Sequence, residues 1–194
     1  MSSVAAFSGA VLTGGSSTRM GRDKALLAVG GRPLALAAAS ALERAGAAEV
    51  LAVGGDLDAL RALGLDARAD DHPGEGPLGG ILTALRVAAH DPVVVLACDM
   101  PEIDAATVSL LVGALALHTD AEIAAAEDGG RVQGLTAAYR RAAAPRLAER
   151  FAAGERAVRR AIEPLELVRV AGLAPAALAD VDGPDDLRRY AHPS

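Results

Sequence analysis

The chain has 194 residues, a formal net charge of −6, 52% hydrophobic residues, only 2% aromatic ones and no tryptophan. That length suits one domain, residues 1–194, with a core of Ala, Val, Leu and Ile; the acidic balance argues against nucleic-acid binding, which needs a basic face. A single cysteine, Cys98, leaves no intrachain disulfide framework, the four histidines (His72, His90, His118, His192) lack metal-ligand spacing, and no unbroken apolar run is long enough to span a membrane.

Met1 to Leu12 is apolar, lacks a basic start and runs directly into a glycine loop. It reads as leading into a first buried strand, Ala5 to Leu12, not as a signal peptide, and a cytoplasmic protein is expected. Pro33 to Ala45 reads as a helix, with Pro33 at its start and Gly46 beyond its end. Glu49 to Val53 is a short strand, and Asp56 can cap a helix through Leu63. Leu65 to Ala69 reads as a further short strand. Asp70 to Gly76 is a loop, and Pro77 to Ala89 restarts a helix. The continuous apolar run Val93–Ala97 suits a central parallel strand covered on both faces. Asp104 can cap a helix to Leu117. Ala121 to Ala126 and Arg131 to Tyr139 read as strands, then Arg140 to Ala152 and Glu155 to Ile162 as helices. Leu165 to Val170 is a late strand and Pro184 to Tyr190 a terminal helix. This alternation predicts βαβ units, a mostly parallel sheet and right-handed crossovers, with no internal repeat and no disordered linker. Ligands of such sheets bind beyond the carboxyl ends of the strands.

One lysine stands among eighteen arginines, and it lies in the most glycine-rich stretch, Leu12-Thr13-Gly14-Gly15-Ser16-Ser17-Thr18-Arg19-Met20-Gly21-Arg22-Asp23-Lys24. A compact ammonium fits between phosphate oxygens where a broad guanidinium does not. Glycines let backbone N–H groups approach an anion, and Arg19 and Lys24 add positive charge. The loop is neither a P-loop nor a dinucleotide-binding fingerprint, and a purely structural turn is the simpler alternative.

Asp99 follows the central strand, where a carboxylate can hold Mg²⁺, a hard cation that prefers oxygen ligands; a turn aspartate would look the same. Cys98 reads as a small packing residue. Gly76-Pro77-Leu78-Gly79-Gly80 exposes N–H groups to a ligand, permits close packing or simply starts a helix. Asp70 and Asp71 can meet a ribose hydroxyl or a base, or be solvated. Asp182 can cap the last helix, or supply a second metal oxygen if the chain returns to the sheet edge. Arg156, Arg159 and Arg160 are spaced to share a helix face, either solvated or facing a second phosphorylated substrate.

Together these residues resemble a known family. The run from Leu12-Thr13-Gly14-Gly15 through Arg19-Met20-Gly21 to Asp23-Lys24 is similar to the signature loop of the molybdenum cofactor guanylyltransferases. The likeness continues through Gly31-Arg32-Pro33-Leu34, Gly76-Pro77-Leu78-Gly79-Gly80, Cys98-Asp99-Met100-Pro101, Gly154-Glu155-Arg156 and Asp182-Gly183-Pro184-Asp185-Asp186-Leu187, in the family's order.

The resemblance implies a single-domain, three-layer α/β/α Rossmann-like nucleotidyltransferase fold around a mostly parallel sheet. It implies transfer of GMP from GTP to the terminal phosphate of molybdopterin, carrying molybdenum, with release of pyrophosphate. Gly14, Gly15 and the loop backbone would hold the triphosphate, Thr13 would be among the nucleotide-binding residues, and Lys24 would neutralise charge near the α-phosphate. Arg19 would share that work, and Mg²⁺ would sit on Asp99. Leu12 and Gly14 would help seat guanine, and Asp70, or adjacent Asp71, would touch the nucleotide. Contacts with molybdenum-insertion proteins and recipient molybdoenzymes are implied as well.

Three departures stand out: Asp180-Val181-Asp182 where the family often has Asn-Val-Asn, Gly54-Gly55 where an Asn often follows the second strand, and Gln133-Gly134-Leu135 in place of Gln-Pro-Leu or His-Pro. Cytidylyl transfer to the same acceptor, a sugar-phosphate nucleotidyltransferase and a non-catalytic GTP-binding cofactor-delivery protein remain the alternatives.

Overall fold

The computed structural model describes residues 6–14, 23–181 and 186. Nine strands and six α-helices are described: β1 (Ser8–Leu12), β2 (Ala28–Val29), β3 (Arg32–Pro33), α1 (Leu34–Arg44), β4 (Glu49–Val53), α2 (Leu57–Ala62), β5 (Asp66–Arg68), α3 (Pro77–Val87), β6 (Val93–Ala97), α4 (Ala105–Leu117), β7 (Ile123–Asp128), β8 (Arg131–Tyr139), α5 (Ala144–Ala152), α6 (Val158–Ile162) and β9 (Leu167–Val170). The predicted terminal helix, Pro184 to Tyr190, falls outside the described residues apart from Asp186. Among the described residues, no helix is long and apolar enough to cross a membrane.

Seven strands form one sheet in the order β5-β4-β1-β6-β8-β7-β9. Its pairs are parallel except where β8 meets β6 and β7. β2 and β3 form a separate small hairpin. The sheet is thus mostly parallel, as expected, with one inverted strand that the helix–strand alternation did not reveal. The reversal is made at Gly129 and Gly130, whose φ values of +53° and +80° suit glycine.

Alternation along the central strands feeds two cores. Val94 and Leu96 of β6 join the apolar cluster under α1 and α4, whereas Val93 and Val95 join the one under α3, α5 and α6. A strand buried on both faces reads as an unbroken apolar run for this reason. Helices flank both faces, giving the three-layer arrangement. Small residues bring the layers close: a Cβ on Gly9 would lie 2.8 Å from Leu42 Cδ1, so only glycine lets α1 lie directly on β1.

The helix starts follow local chemistry. Asp56 accepts from Ala59 N–H at 3.1 Å and Asp104 from Thr107 N–H at 2.8 Å, so both act as the predicted N-caps. Pro77 opens α3 after Gly76, whose φ is +91°.

Candidate active site

β1 lies between β4 and β6, with Leu12 opposite both Val53 and Ala97. The segments leaving the carboxyl ends of β1 and β6 therefore start side by side, which brings Thr13 and Gly14 next to Cys98 and Asp99. Lys24 returns to the same edge in a short 3-10 turn, Lys24–Leu26, capped by Asp23, whose Oδ1 accepts from Ala25 N–H at 3.0 Å. Lys24 Nζ then sits 2.8 Å from Asp99 Oδ2, with the two side chains 17% and 24% exposed. The residues that carry the glycine-loop and central-strand motifs, 75 positions apart, thus meet in one ion pair. A cavity of about 250 Å³ opens around it, lined among others by Leu12, Gly14, Asp23, Pro77 and Leu135.

The floor of the cavity is held by β4. Thr13 is buried, and its hydroxyl lies 3.1 Å from Val53 O and 2.9 Å from Gly54 O. The backbone N–H groups of Thr13 and Gly14 also point at Val53 O, at 3.0 and 3.2 Å. Thr13 is among the residues that line the cavity, and its side chain braces β1 against the turn after β4. Leu12 is 6% exposed and packs on α3, where a Cβ on Gly80 would come 3.3 Å from its Cδ2.

The Gly54-Gly55 departure has a steric reason. A Cβ on Gly54 would stand 3.0 Å from Gly14 Cα, and one on Gly55 3.0 Å from Thr13 O, with both residues at positive φ. Asp23 joins this contact, since its Oδ2 accepts from Asp56 N–H at 3.0 Å. It ties the residue before Lys24 to the β4–α2 turn, a role no local pattern signals because the partner lies 33 positions away.

The two aspartates after β5 separate. Asp71 is exposed and held by Arg86 through contacts of 2.6 and 2.9 Å. Asp70 turns towards the glycine floor, its Cβ 3.7 Å from where a Gly54 Cβ would be. Its Oδ1 accepts from His72 N–H at 3.0 Å and from the hydroxyl of Thr83, a buried residue of α3 not singled out in the sequence, at 2.8 Å.

The remaining motifs are mainly structural. Gly79 admits His72, whose Cβ would lie 2.6 Å from a Cβ there. Gly134 admits α6, since a Cβ would lie 2.5 Å from Val158 Cγ1. The expectation that Arg156, Arg159 and Arg160 share a helix face needs correction, because α6 begins only at Val158. Arg156 precedes it, stacks 3.9 Å from the Phe151 ring centroid and pairs with Glu75 at 2.7 Å. Arg160 pairs with Glu155 at 2.8 Å. The hydrogen bonds from Arg160 and from backbone N–H groups hold the Glu155 carboxyl down at about 2. Cys98 is buried; desolvation, then the Asp99 charge, pushes its thiol up to about 12, so it stays protonated as a packing residue.

Asp99 offers oxygen ligands at the cavity, and Mg²⁺ commonly takes one or two carboxylates and completes its shell with waters and phosphate oxygens. That donor type fits. Among the described residues no group of three or more His, Cys, Asp or Glu forms a metal cage. Val181, fully buried, donates its N–H to Asp99 O at 2.9 Å, so the chain does return to the sheet edge at this point. Gly15, Arg19 and Asp182, also expected in the site, lie outside the described residues.

A model of the MobA-like NTP transferase domain matches residues 9–170, which include every strand of the sheet except the first residue of β1. The chain belongs to the MobA-like NTP transferase family. It is similar to a probable molybdenum cofactor guanylyltransferase of Chloroflexus aggregans, at 36% identity over 93% of this chain and 91% of that one. A molybdenum cofactor guanylyltransferase of Pseudomonas entomophila is 37% identical over 78% and 80% of the two chains. Among solved structures, molybdopterin-guanine dinucleotide biosynthesis protein A from Archaeoglobus fulgidus superposes with a TM-score of 0.76 at 25% identity, covering 94% of this chain and 96% of that one. The cavity with Lys24 and Asp99 lies at the carboxyl edge of the sheet, where ligands of open α/β sheets bind.

Proposed function

We propose that this chain is a molybdenum cofactor guanylyltransferase that transfers GMP from GTP to the terminal phosphate of molybdopterin, carrying molybdenum, and releases pyrophosphate. The observation that carries the reading is the Lys24–Asp99 pair, 2.8 Å apart in the cavity beyond β1 and β6. The names of relatives matched over most of their length support the choice of base and acceptor.

In this reading an oxygen of the acceptor phosphate attacks the α-phosphorus of GTP. The bond to the bridging oxygen breaks, and pyrophosphate departs with that electron pair. The nucleophile belongs to the substrate, so the protein's work is alignment and charge neutralisation. Lys24 places its ammonium against the negative charge that builds on the α-phosphate and the leaving group, and Arg19 adds to it. Gly15 and the loop backbone beyond it cradle the triphosphate. Because the Thr13 and Gly14 N–H groups face Val53 O, the cradle is assigned to N–H groups from Gly15 onward. Leu12 and Gly14 seat the guanine, and Asp70 takes the nucleoside contact.

Asp99, with Asp182 as a second oxygen, would hold Mg²⁺. Bound there, Mg²⁺ supplies further neutralisation of phosphate oxygens. The return of Val181 to Asp99 supports the second ligand. The proposed reaction is assigned to the cytoplasm, with product transfer to recipient molybdoenzymes through contact with them and with molybdenum-insertion proteins.

The test is the product. Purified chain, GTP, Mg²⁺ and molybdopterin should yield an acceptor heavier by one GMP, with one pyrophosphate per GTP consumed. GTP consumed with no such adduct would contradict the reading.

A further inference from the structure

Thr83 is a polar residue in a place that packing alone would give to valine. It lies within α3, fully buried, among Leu78, Ile81, Ala84 and Leu85. A buried hydroxyl is costly unless its hydrogen bonds are made. Here they converge on one short segment. The Oγ1 lies 2.8 Å from Asp70 Oδ1 and 3.1 Å from Gly79 O, and it accepts from Asp71 N–H at 3.1 Å. One hydroxyl proton faces two acceptors; the shorter contact and the ionised acceptor favour Asp70.

His72 N–H also donates to Asp70 Oδ1, at 3.0 Å. Two donors therefore fix Oδ1, while Oδ2 meets no hydrogen-bond donor among the described residues. The carboxylate is gripped on one side only, beside the Gly14–Gly54 floor. Its neighbour Asp71 is turned outward and bound in bidentate fashion by Arg86.

Resting on the nucleotide-transfer reading above, we infer that Thr83 is a positioning residue: it fixes the Asp70 carboxylate so that Oδ2 accepts a hydrogen bond from the nucleoside. The donor is the exocyclic amine of the base or a ribose O–H. A threonine two turns from the helix start thereby contributes to nucleotide selection without touching the nucleotide. The hydroxyl also satisfies Asp71 N–H, which keeps the backbone between the two aspartates in the geometry that separates their side chains.

Dissociation constants of the full chain for GTP, ITP, 2′-deoxy-GTP and 3′-deoxy-GTP, with Mg²⁺, test this in wild type, Thr83→Val and Thr83→Ser. Valine keeps the volume and removes the hydroxyl. It should weaken GTP about tenfold and shrink the preference for GTP over the analogue lacking the donor that Asp70 accepts. Loss of preference against ITP assigns a base amine, and loss against a deoxy analogue assigns a ribose hydroxyl. Serine should restore both affinity and preference. If the valine variant does not fold, Thr83→Cys carries the same comparison with a weak thiol donor.

GTP affinity within about twofold of wild type, or equal weakening for all four nucleotides, overturns the inference, because a merely structural role cannot change selectivity. A serine variant that folds but loses selectivity overturns it too. A wild-type chain that binds GTP selectively but transfers no GMP overturns the proposed activity and leaves the Thr83 assignment standing. A chain that binds no nucleotide overturns both.

Discussion

Replacing Lys24 by methionine removes one charge and keeps most of the side-chain stem. At the observed 2.8 Å from Asp99, and at an effective permittivity near 20, the gross attraction is roughly 6 kcal/mol. Desolvation of the two ions cancels most of it. The side chains keep 17% and 24% exposure, so the folded state should lose only about 1 kcal/mol. Turnover should suffer far more. The charge that develops on the phosphates in the transition state has no substitute for a preorganised ammonium, and removal of one such partner costs about 3–4 kcal/mol, a few hundred-fold in rate. Urea unfolding reads the first quantity, and pyrophosphate release at saturating GTP reads the second. A Lys24→Met protein that folds normally and turns over within about tenfold of wild type would refute the reasoning. So would a stability loss of several kcal/mol, since the lysine would then be a structural residue.

Three further outcomes follow from the same geometry. Gly54→Ala combines a residue at φ +80° with a Cβ 3.0 Å from Gly14 Cα; left-handed strain and overlap together should cost about 2–4 kcal/mol in urea unfolding and weaken GTP binding by displacing Gly14. Asp70→Asn should raise the KM for GTP about tenfold, while Asp71→Asn, whose carboxylate is held by Arg86, should change it less than about twofold; the reverse order in steady-state kinetics would exchange their roles. The Glu155 carboxyl is held below its ordinary 4.5, at about 2. A depressed carboxylate stabilises the fold above its unfolded value and loses that contribution as pH falls through the folded one. Glu155→Gln should therefore be destabilised at pH 7, and the gap in urea midpoint should close between about pH 4.5 and pH 2; a gap independent of pH would point to lost packing.

Much of this architecture is legible from local signals. Val93–Ala97 announces itself as a strand covered on both faces, and Asp56 and Asp104 announce helix starts, because those signals are written in adjacent residues. The inverted β8 was less visible, although Asp128-Gly129-Gly130-Arg131 between two strands is a hairpin signal. The β2–β3 hairpin was missed for a related reason: its strands have two residues each, and only Gly30-Gly31 at positive φ marks the turn. At the site, the glycine loop, Lys24 and Asp99 were found because their residue types carry their own chemistry. The bracing role of Asp23 and the place of Thr83 are not legible in the sequence, because each acts through partners that are neighbours only after folding. Asp70 and Asp71 could be told apart only once Thr83 and Arg86 had taken one each. Arg156 misled in the opposite direction, its spacing to Arg159 and Arg160 suggesting a helix that begins two residues later.

Pyrophosphate release in the presence of Mg²⁺ and molybdopterin, followed in parallel with GTP, CTP, ATP and UTP, tests the central claim most directly. The account predicts release with GTP and only background with the other three. Release with CTP in place of GTP would contradict the assigned base, and no release with any of the four would contradict nucleotidyl transfer to this acceptor.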